Sequence, residues 1–112
     1  MPEPFLIDAT MHGPQAQLNL AGEINHASAP LIIERVFWYL DMPSVDEVVI
    51  DITAATSIDS GGIAMLIRCK RRSLAMGKVL QVVGSQGRIA QLLNLTGVDD
   101  YLASGGPERS PG

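Results

Sequence analysis

The chain has 112 residues, of which 46% are apolar and 18% are charged, and its formal net charge is −4. This length fits one domain with a single core, and the acidic balance argues against nucleic-acid binding. One cysteine excludes a disulfide within the chain, two histidines are too few for a typical zinc site, and charges interrupt every long apolar stretch. We therefore expect a cytoplasmic protein with no metal, no cofactor and no direct membrane insertion.

The first part of the chain predicts two strands and a helix. "PFLIDAT" is a short apolar run and "AQLNLAGEI" alternates apolar with polar residues, so together they predict a hairpin-like strand pair. Ser28 followed by Pro30 indicates a helix start, and the helix is predicted from Ala29 to Leu40. The helix residues expected to face a sheet are Ile33, Val36, Phe37 and Leu40.

The second part predicts strands and helices in alternation. "VDEVVIDI" is rich in β-branched residues, as in a strand covered on both faces. A helix is predicted from Gly62 to Met76, then the strand "KVLQVVG", a cap at Ser85 and the helix "QGRIAQLLNL". The residues expected to face inward are Ile63, Leu66, Ile67 and Leu74 in the first of these helices and Ile89, Leu92 and Leu93 in the second.

This order of elements predicts an α/β fold. Strands that alternate with helices form parallel neighbours, while a hairpin adds an antiparallel pair, so one mixed sheet with helices packed against it is expected. We assign residues 1–102 to a single domain and residues 103–112, "ASGGPERSPG", to a flexible C-terminal tail.

The stretch "SIDSGGI" joins a predicted strand to a predicted helix. Its "DSGG" also occurs around the active serine of chymotrypsin-like proteases, but a serine nucleophile needs a histidine base that is itself oriented by an acid. His12 and His26 lie in predicted loops, with nothing to bring either to Ser60. In the alternative, Asp59 or Ser60 caps the helix and two glycines allow a sharp turn. We expect this turn and no catalytic residue, with a hydrolase as the disfavoured alternative.

Three segments together resemble one family. They are "LNLAGEINHASAPLI", "VVIDITAATSIDSGGIAMLIRCKRRSLAMGKVLQVVG" and "RIAQLLNLTGVDDYL". In this order they resemble the "GELD...TAP" segment, the strand with its "D-S-[ST]-G" turn and helix, and the closing helix of STAS-domain anti-sigma factor antagonists. The resemblance implies a STAS-like fold and a bacterial partner-switching protein in transcription regulation. Such a protein binds an anti-sigma factor, commonly a serine kinase, and so frees the sigma factor.

The chain departs from this family at the phosphoacceptor. Carried over without a gap, the family's turn falls on Asp59, Ser60, Gly61 and Gly62. The family's kinase modifies the hydroxyl residue before the last glycine, where this chain has Gly61. Three alternatives remain: Ser60 as a displaced acceptor, Ser57 or Thr56 in its place, or an unmodified turn. We favour the unmodified turn, because capping is expected to engage the Ser60 hydroxyl. The missing acceptor also admits a STAS subunit of a phospholipid ABC transport complex that binds its ATPase.

The helix after the turn carries candidates for a partner interface. At 100° per residue Gly61, Met65, Arg68 and Arg72 share a stripe, with an adaptable apolar side chain and two arginines that favour anions. The resemblance places Asn25, where "GELD" ends in Asp, near the partner surface. The interface candidates are thus Asn25, Met65, Arg68 and Arg72. The cluster "RCKRR" is too short in an acidic chain to predict nucleic-acid binding.

Four further side chains have structural interpretations. Lys70 is expected to pass the core edge and reach solvent, and Cys69 to be a small packing residue. Leu31 and Trp38 lie seven residues apart on the less apolar side of their helix. They either cover a chain terminus or form a self-association patch, so a homo-oligomer is an open alternative.

Overall fold

The computed structural model describes residues 5–103. Within this range the chain forms β1 (Leu6–His12), β2 (Gln15–Ile24), α1 (Ala29–Leu40), β3 (Glu47–Ile58), α2 (Ser60–Ala75), β4 (Val79–Val83), α3 (Gly87–Leu95) and α4 (Asp99–Ala103). The strands form one sheet in the order β1-β2-β3-β4, with β1 antiparallel to β2 and the other pairs parallel. The predicted α/β class, with a mixed sheet and helices packed against it, is confirmed.

The hairpin of β1 and β2 supplies one edge of the sheet. In β2 the alternation predicted from sequence is observed, since Ala16, Leu18 and Leu20 are fully buried while the residues between them are partly exposed. His12 is the last residue of β1, so its predicted place in a loop is wrong. The apolar face of the hairpin is therefore turned towards the helices.

Helix α1 has the predicted bounds, but its buried face differs. Val36 and Leu40 are buried as expected. Ile32 is buried in place of Ile33, which is half-buried together with Phe37. The helix is thus rotated about its axis so that Ile33 and Phe37 lie at the edge of the core.

Ser28 precedes α1 but does not cap it with its side chain. Its hydroxyl instead accepts a hydrogen bond from the backbone N–H of Asn25 at 3.0 Å and donates to the carbonyl of Glu23 at 2.9 Å. The predicted cap is therefore wrong. The serine stabilises the loop before the helix, and Pro30 opens the first turn.

Strand β3 is longer than the sequence predicts. Val48, Ile50 and Ile52 are buried, as expected, but the strand continues to Ile58 through residues that are mostly exposed. Its pairing with β2 also continues, ending with Ile58 opposite Ile24. Backbone pairing therefore carries the chain past the core, to the place where α2 begins.

Helix α2 starts at Ser60, two residues before the predicted start. Ile63 and Leu66 are buried as expected, whereas Ile67 and Leu74 are only half-buried. Cys69 is fully buried, and desolvation by burial raises the pKa of its thiol to about 12, although nearby Arg68 acts in the opposite direction. The thiol is therefore neutral at physiological pH and packs as a small apolar group.

Lys70 lies inside the core and does not reach solvent as predicted. Its side chain is 1% exposed, and its Nζ donates to the carbonyl oxygen of Leu80 at 2.6 Å. The same Nζ lies 5.9 Å from the ring centroid of Tyr101 in α4. Lys70 thus joins α2 to the edge strand β4 and to the last helix.

The end of the described chain shows one wrong cap and one missed helix. Gln86, not Ser85, precedes α3, in which Ile89 and Leu93 are buried and Leu92 is half-buried. Helix α4 was not predicted, and its Leu102 is almost fully buried. Residues 104–112 of the predicted tail lie outside the described residues. In the described part no helix is long and apolar enough to cross a membrane.

Candidate functional site

The turn between β3 and α2 has the predicted cap. Asp59 is extended, with φ −115° and ψ −176°, and its Oδ1 accepts a hydrogen bond from the backbone N–H of Gly62 at 2.9 Å. This bond satisfies one of the free donors at the start of α2. The turn is thereby fixed at the surface, with the first residues of α2 beside the loop before α1.

Asp59→Ala is expected to lower the free energy of unfolding by about 1 kcal/mol, because α2 loses its N-cap acceptor. Urea unfolding followed by circular dichroism measures the change. Asp59→Asn is the matched control, since an amide oxygen accepts the same hydrogen bond and its loss of stability should be much smaller. An equally large loss in the asparagine variant would show that the negative charge, not the cap, is responsible.

Ser60 is exposed as the first residue of α2. Because Asp59 provides the cap, the expectation that capping engages the Ser60 hydroxyl is wrong. Within residues 5–103 this hydroxyl makes no hydrogen bond, to an imidazole or to any other group. The Ser60 hydroxyl is therefore exposed at the turn and is not engaged by the described part of the chain.

Gly62 is buried at a point where three segments meet. A Cβ added there would lie 2.6 Å from the carbonyl oxygen of Ile24, and 2.9 Å from side-chain carbons of both Ile24 and Ile58. Real Cβ atoms do not approach other atoms so closely. Gly62 thus allows the N-terminus of α2 to sit directly on the ends of β2 and β3.

Gly61 packs against the loop between β2 and α1. A Cβ added there would lie 2.8 Å from the Cβ of His26 and 3.1 Å from both its backbone nitrogen and its Cα. Any side chain at position 61 would therefore displace the His26 backbone or shift the start of α2. Glycine at position 61 therefore provides no hydroxyl, and its lack of a side chain allows the start of α2 to lie close to the backbone of His26.

Asn25 shapes the loop that carries His26. Its Oδ1 accepts hydrogen bonds from the backbone N–H groups of Ala27 at 2.9 Å and Ser28 at 3.0 Å. An aspartate could accept both bonds equally well. Asparagine at this position thus preserves the acceptor geometry of the loop while removing a negative charge from it.

A groove lies between α1 and α2 beside the turn. Its volume is about 240 Å³, and we call it the α1–α2 groove; it is lined by His26, Ala29, Pro30, Ile33, Gly61, Ala64, Met65 and Arg68. Three predicted site residues, Gly61, Met65 and Arg68, therefore meet here. Met65 is only 3% exposed, so its expected place on an open stripe is wrong, and it forms part of the groove floor.

Arg68 and Arg72, two of the predicted interface residues, lie where α2 contacts α1. The guanidinium carbons of Arg68 and Arg72 lie 5.6 and 5.0 Å from the ring centroid of Phe37, within the range of cation–π contacts. Arg72 also forms a salt bridge of 3.1 Å with Asp41, in which both side chains are roughly half exposed. Such an exposed pair contributes little stability. Arg72 is thus directed to the end of α1, while Arg68 remains beside the groove.

Sequence reasoning missed several contributors to the groove. His26 and Pro30 were assigned only to a loop and a helix start, and Ile33 was assigned to the core. The "GEIN" segment was the available signal for His26, because the resemblance placed this loop near the partner surface. Nothing in the sequence showed that His26 would touch Gly61.

The chain belongs to the STAS domain family, which matches residues 7–108. The resemblance predicted from three segments is therefore confirmed at the level of the family and the fold. The arrangement of strand, capped turn and helix lies within the matched region. Among curated proteins, none matches the chain in sequence.

Solved structures share this fold at low sequence identity. An anti-sigma factor antagonist from Mycobacterium paratuberculosis is 21% identical, with a TM-score of 0.77, 91% of this chain covered and 87% of the other. The Bacillus cell fate determinant SpoIIAA in its phosphorylated form is 13% identical, with a TM-score of 0.68 and coverages of 94% and 93%. The murine anion transporter Slc26a9 is 13% identical, with a TM-score of 0.69, but the match covers 80% of this chain and 15% of the transporter.

Proposed function

We propose that this protein is an anti-sigma factor antagonist that acts in the bacterial cytoplasm. It binds an anti-sigma factor, for which a serine kinase is our candidate, and so releases the sigma factor for transcription. It acts by binding and not by catalysis. The observation that carries this proposal is the capped turn Asp59–Gly62 beside the open α1–α2 groove, in a chain of the STAS family.

The groove suits a partner segment with an apolar contact and a negative group. Its walls and floor are mostly apolar, with Ile33 and Met65 among them, and Arg68 stands at its margin. Because Gly61 has no side chain, a partner can approach the backbone of the turn closely. The partner's carboxylate would then meet a guanidinium at the rim, where charge mainly affects the association rate and the choice of partner.

Ala64→Gln is expected to weaken binding to the anti-sigma factor at least about tenfold, because a longer side chain fills the groove. Glutamine is a good helix former, so α2 is retained. Ala75→Gln is the matched control at the other end of the same helix, where Ala75 is also exposed, and should bind as the unmodified chain does. Isothermal titration calorimetry measures both affinities; equal affinities would contradict binding at the groove.

We further propose that the turn binds its partner without being phosphorylated. The supporting observation is Gly61, which lacks the family's acceptor hydroxyl and is packed against His26. Incubation with ATP and the cognate kinase, followed by mass spectrometry, tests this. The mass of the chain should not change. Phosphate on Ser60, whose hydroxyl is open, or on Ser57 or Thr56 in β3 would contradict the proposal.

A second candidate function is a STAS subunit of a phospholipid ABC transport complex that binds its ATPase. The observation that favours it is the missing acceptor at Gly61, and the likeness to part of Slc26a9 adds only that this fold also occurs within a transporter. Capture of binding partners from the source cell separates the two functions. An anti-sigma factor would support the first proposal, and a transporter ATPase would support the second and overturn the first. Loss of the captured protein with Ala64→Gln would assign the contact to the groove.

A further inference from the structure

The outer side of α1 carries an exposed patch that the proposed function does not use. We call it the α1 patch; it consists of the exposed Leu31, Glu34 and Trp38 and the half-buried Arg35. Leu31 is 46% exposed and Trp38, the chain's single tryptophan, is 64% exposed. Within residues 5–103, neither Glu34 nor Arg35 makes a hydrogen bond or an ion pair. A large aromatic side chain is thus exposed between two opposite charges that have no partner in the described part of the chain.

Helix geometry arranges the four side chains in a definite order. At 100° per residue Leu31 and Trp38 fall on nearly one line along the helix, with Glu34 about 50° to one side and Arg35 about 50° to the other. One flank of the apolar line is therefore negative and the other positive. This arrangement is of the kind used by helices that pair through a central apolar seam with charges on both sides.

We propose that the protein forms a homodimer through the α1 patch, with the two α1 helices running in the same direction along a two-fold axis. Such an axis places each flank of one helix against the opposite flank of the other. Glu34 then meets the partner's Arg35, and Arg35 meets the partner's Glu34, while the tryptophans approach each other at the centre. Antiparallel pairing would instead bring like flanks together, so the charges favour the parallel arrangement.

The surface beside Trp38 has room for an incoming side chain. A pocket of about 340 Å³ is lined by Glu34, Arg35, Trp38 and Tyr39. The partner's Trp38 supplies a planar apolar group for this pocket, and by symmetry the contact forms twice. The apolar area on offer is small, so we infer a weak and reversible dimer.

The dimer leaves the α1–α2 groove open. Pro30 and Ile33, two of the α1 residues that line that groove, lie about 90° and about 150° around the helix from the line of Leu31 and Trp38. Each dimer would thus present two grooves, facing away from the shared interface. Dimerisation through the α1 patch does not depend on what binds in the groove.

Dimerisation is tested first with the single tryptophan. On raising the concentration of the full chain, the emission of Trp38 should shift to shorter wavelength as water is excluded from it, and sedimentation velocity should show a monomer converting to a dimer. Emission and sedimentation that stay unchanged up to about 1 mM, where only very weak association would be missed, would overturn the proposal.

Charge exchange separates specific pairing from general apolar association. Glu34→Arg and Arg35→Glu should each raise the dimer dissociation constant about tenfold or more, because like charges then face each other. The double variant E34R/R35E restores opposite charges and should return to within about threefold of the original value. Adjacent residues on a helix do not face each other, so the exchange leaves the monomer intact. A double variant as weak as the single ones would overturn the pairing.

Cross-linking tests the direction of the helices. In the parallel arrangement Leu31 lies across the axis from the partner's Leu31, so Leu31→Cys should form a disulfide-linked dimer under mild oxidation. The native Cys69 is buried and should not react. Ser57→Cys, at an exposed position on β3, is the control and should remain monomeric. Equal cross-linking of the two variants, or none at position 31, would overturn the parallel dimer.

Discussion

Gly62→Ala is expected to lower the free energy of unfolding by about 3 kcal/mol, at the upper end of the cost of overpacking. The added Cβ would lie 2.6 Å from the carbonyl oxygen of Ile24, which belongs to the backbone of a central strand and cannot simply rotate away. Alanine is the better helix former by about 1 kcal/mol, but the contact outweighs this gain. Urea unfolding measures the loss.

The control for this variant is Gly77→Ala, just after α2. Nothing lies within 4 Å of a Cβ built at Gly77, so its cost arises only from the backbone, which has φ of +69°. That cost is about 1 kcal/mol. Equal losses in the two variants would contradict a steric origin at Gly62. If the contact is relieved by moving α2, ligand binding in the α1–α2 groove should also be impaired in Gly62→Ala alone.

Lys70→Ala is expected to lower the free energy of unfolding by about 3 kcal/mol. The change removes the aliphatic stem from a fully buried site and leaves the carbonyl of Leu80 without its 2.6 Å hydrogen bond. The loss of a buried ammonium offsets part of this cost, since charges are expensive to desolvate. Urea unfolding again gives the magnitude, and hydrogen exchange should show faster opening of β4 and α4.

Lys70→Met separates the packing contribution of the aliphatic side-chain stem from the hydrogen bond that the ammonium group donates to Leu80. Methionine has nearly the same length and flexibility, so the cavity does not form, and the expected loss is only about 1 kcal/mol. A methionine variant as unstable as the alanine variant would show that the polar contacts of Nζ, and not the stem, hold the edge of the sheet together.

The four strands and the first three helices were predictable from the sequence because their signals are local, whereas the short α4 was missed. The alternation in β2, the proline at the start of α1 and the β-branched run in β3 each fixed the type of an element. The rotation of a helix is not local. A spacing of three or four residues fits both Ile32 and Ile33 as core positions, and the choice depends on how α1 rests on the sheet. The same holds for Met65, which is buried at the groove between α1 and α2.

The turn was predictable in part. An aspartate before a glycine-rich helix start is a typical N-cap, and Asp59 acts as one. Two other predicted caps failed. The Ser28 hydroxyl bonds to backbone groups of its own loop, and Ser85 lies one residue too early, since Gln86 directly precedes α3. The contact of Gly61 with His26 was beyond sequence reasoning, since it arises from the pairing of β2 with β3, which brings the ends of distant segments together.

The close approach of His26 to Gly61 has an evolutionary consequence. A glycine codon can become a serine codon through one base change, so a phosphorylatable serine at position 61 could arise by a single mutation. The structure opposes this substitution, because a side chain at position 61 would collide with His26 and its backbone. A variant of this chain that acquires a serine at position 61 should therefore carry a compensating change in residues 25–28, acquired earlier or at the same time. Natural variants with a hydroxyl at position 61 and an unaltered loop are expected to be rare.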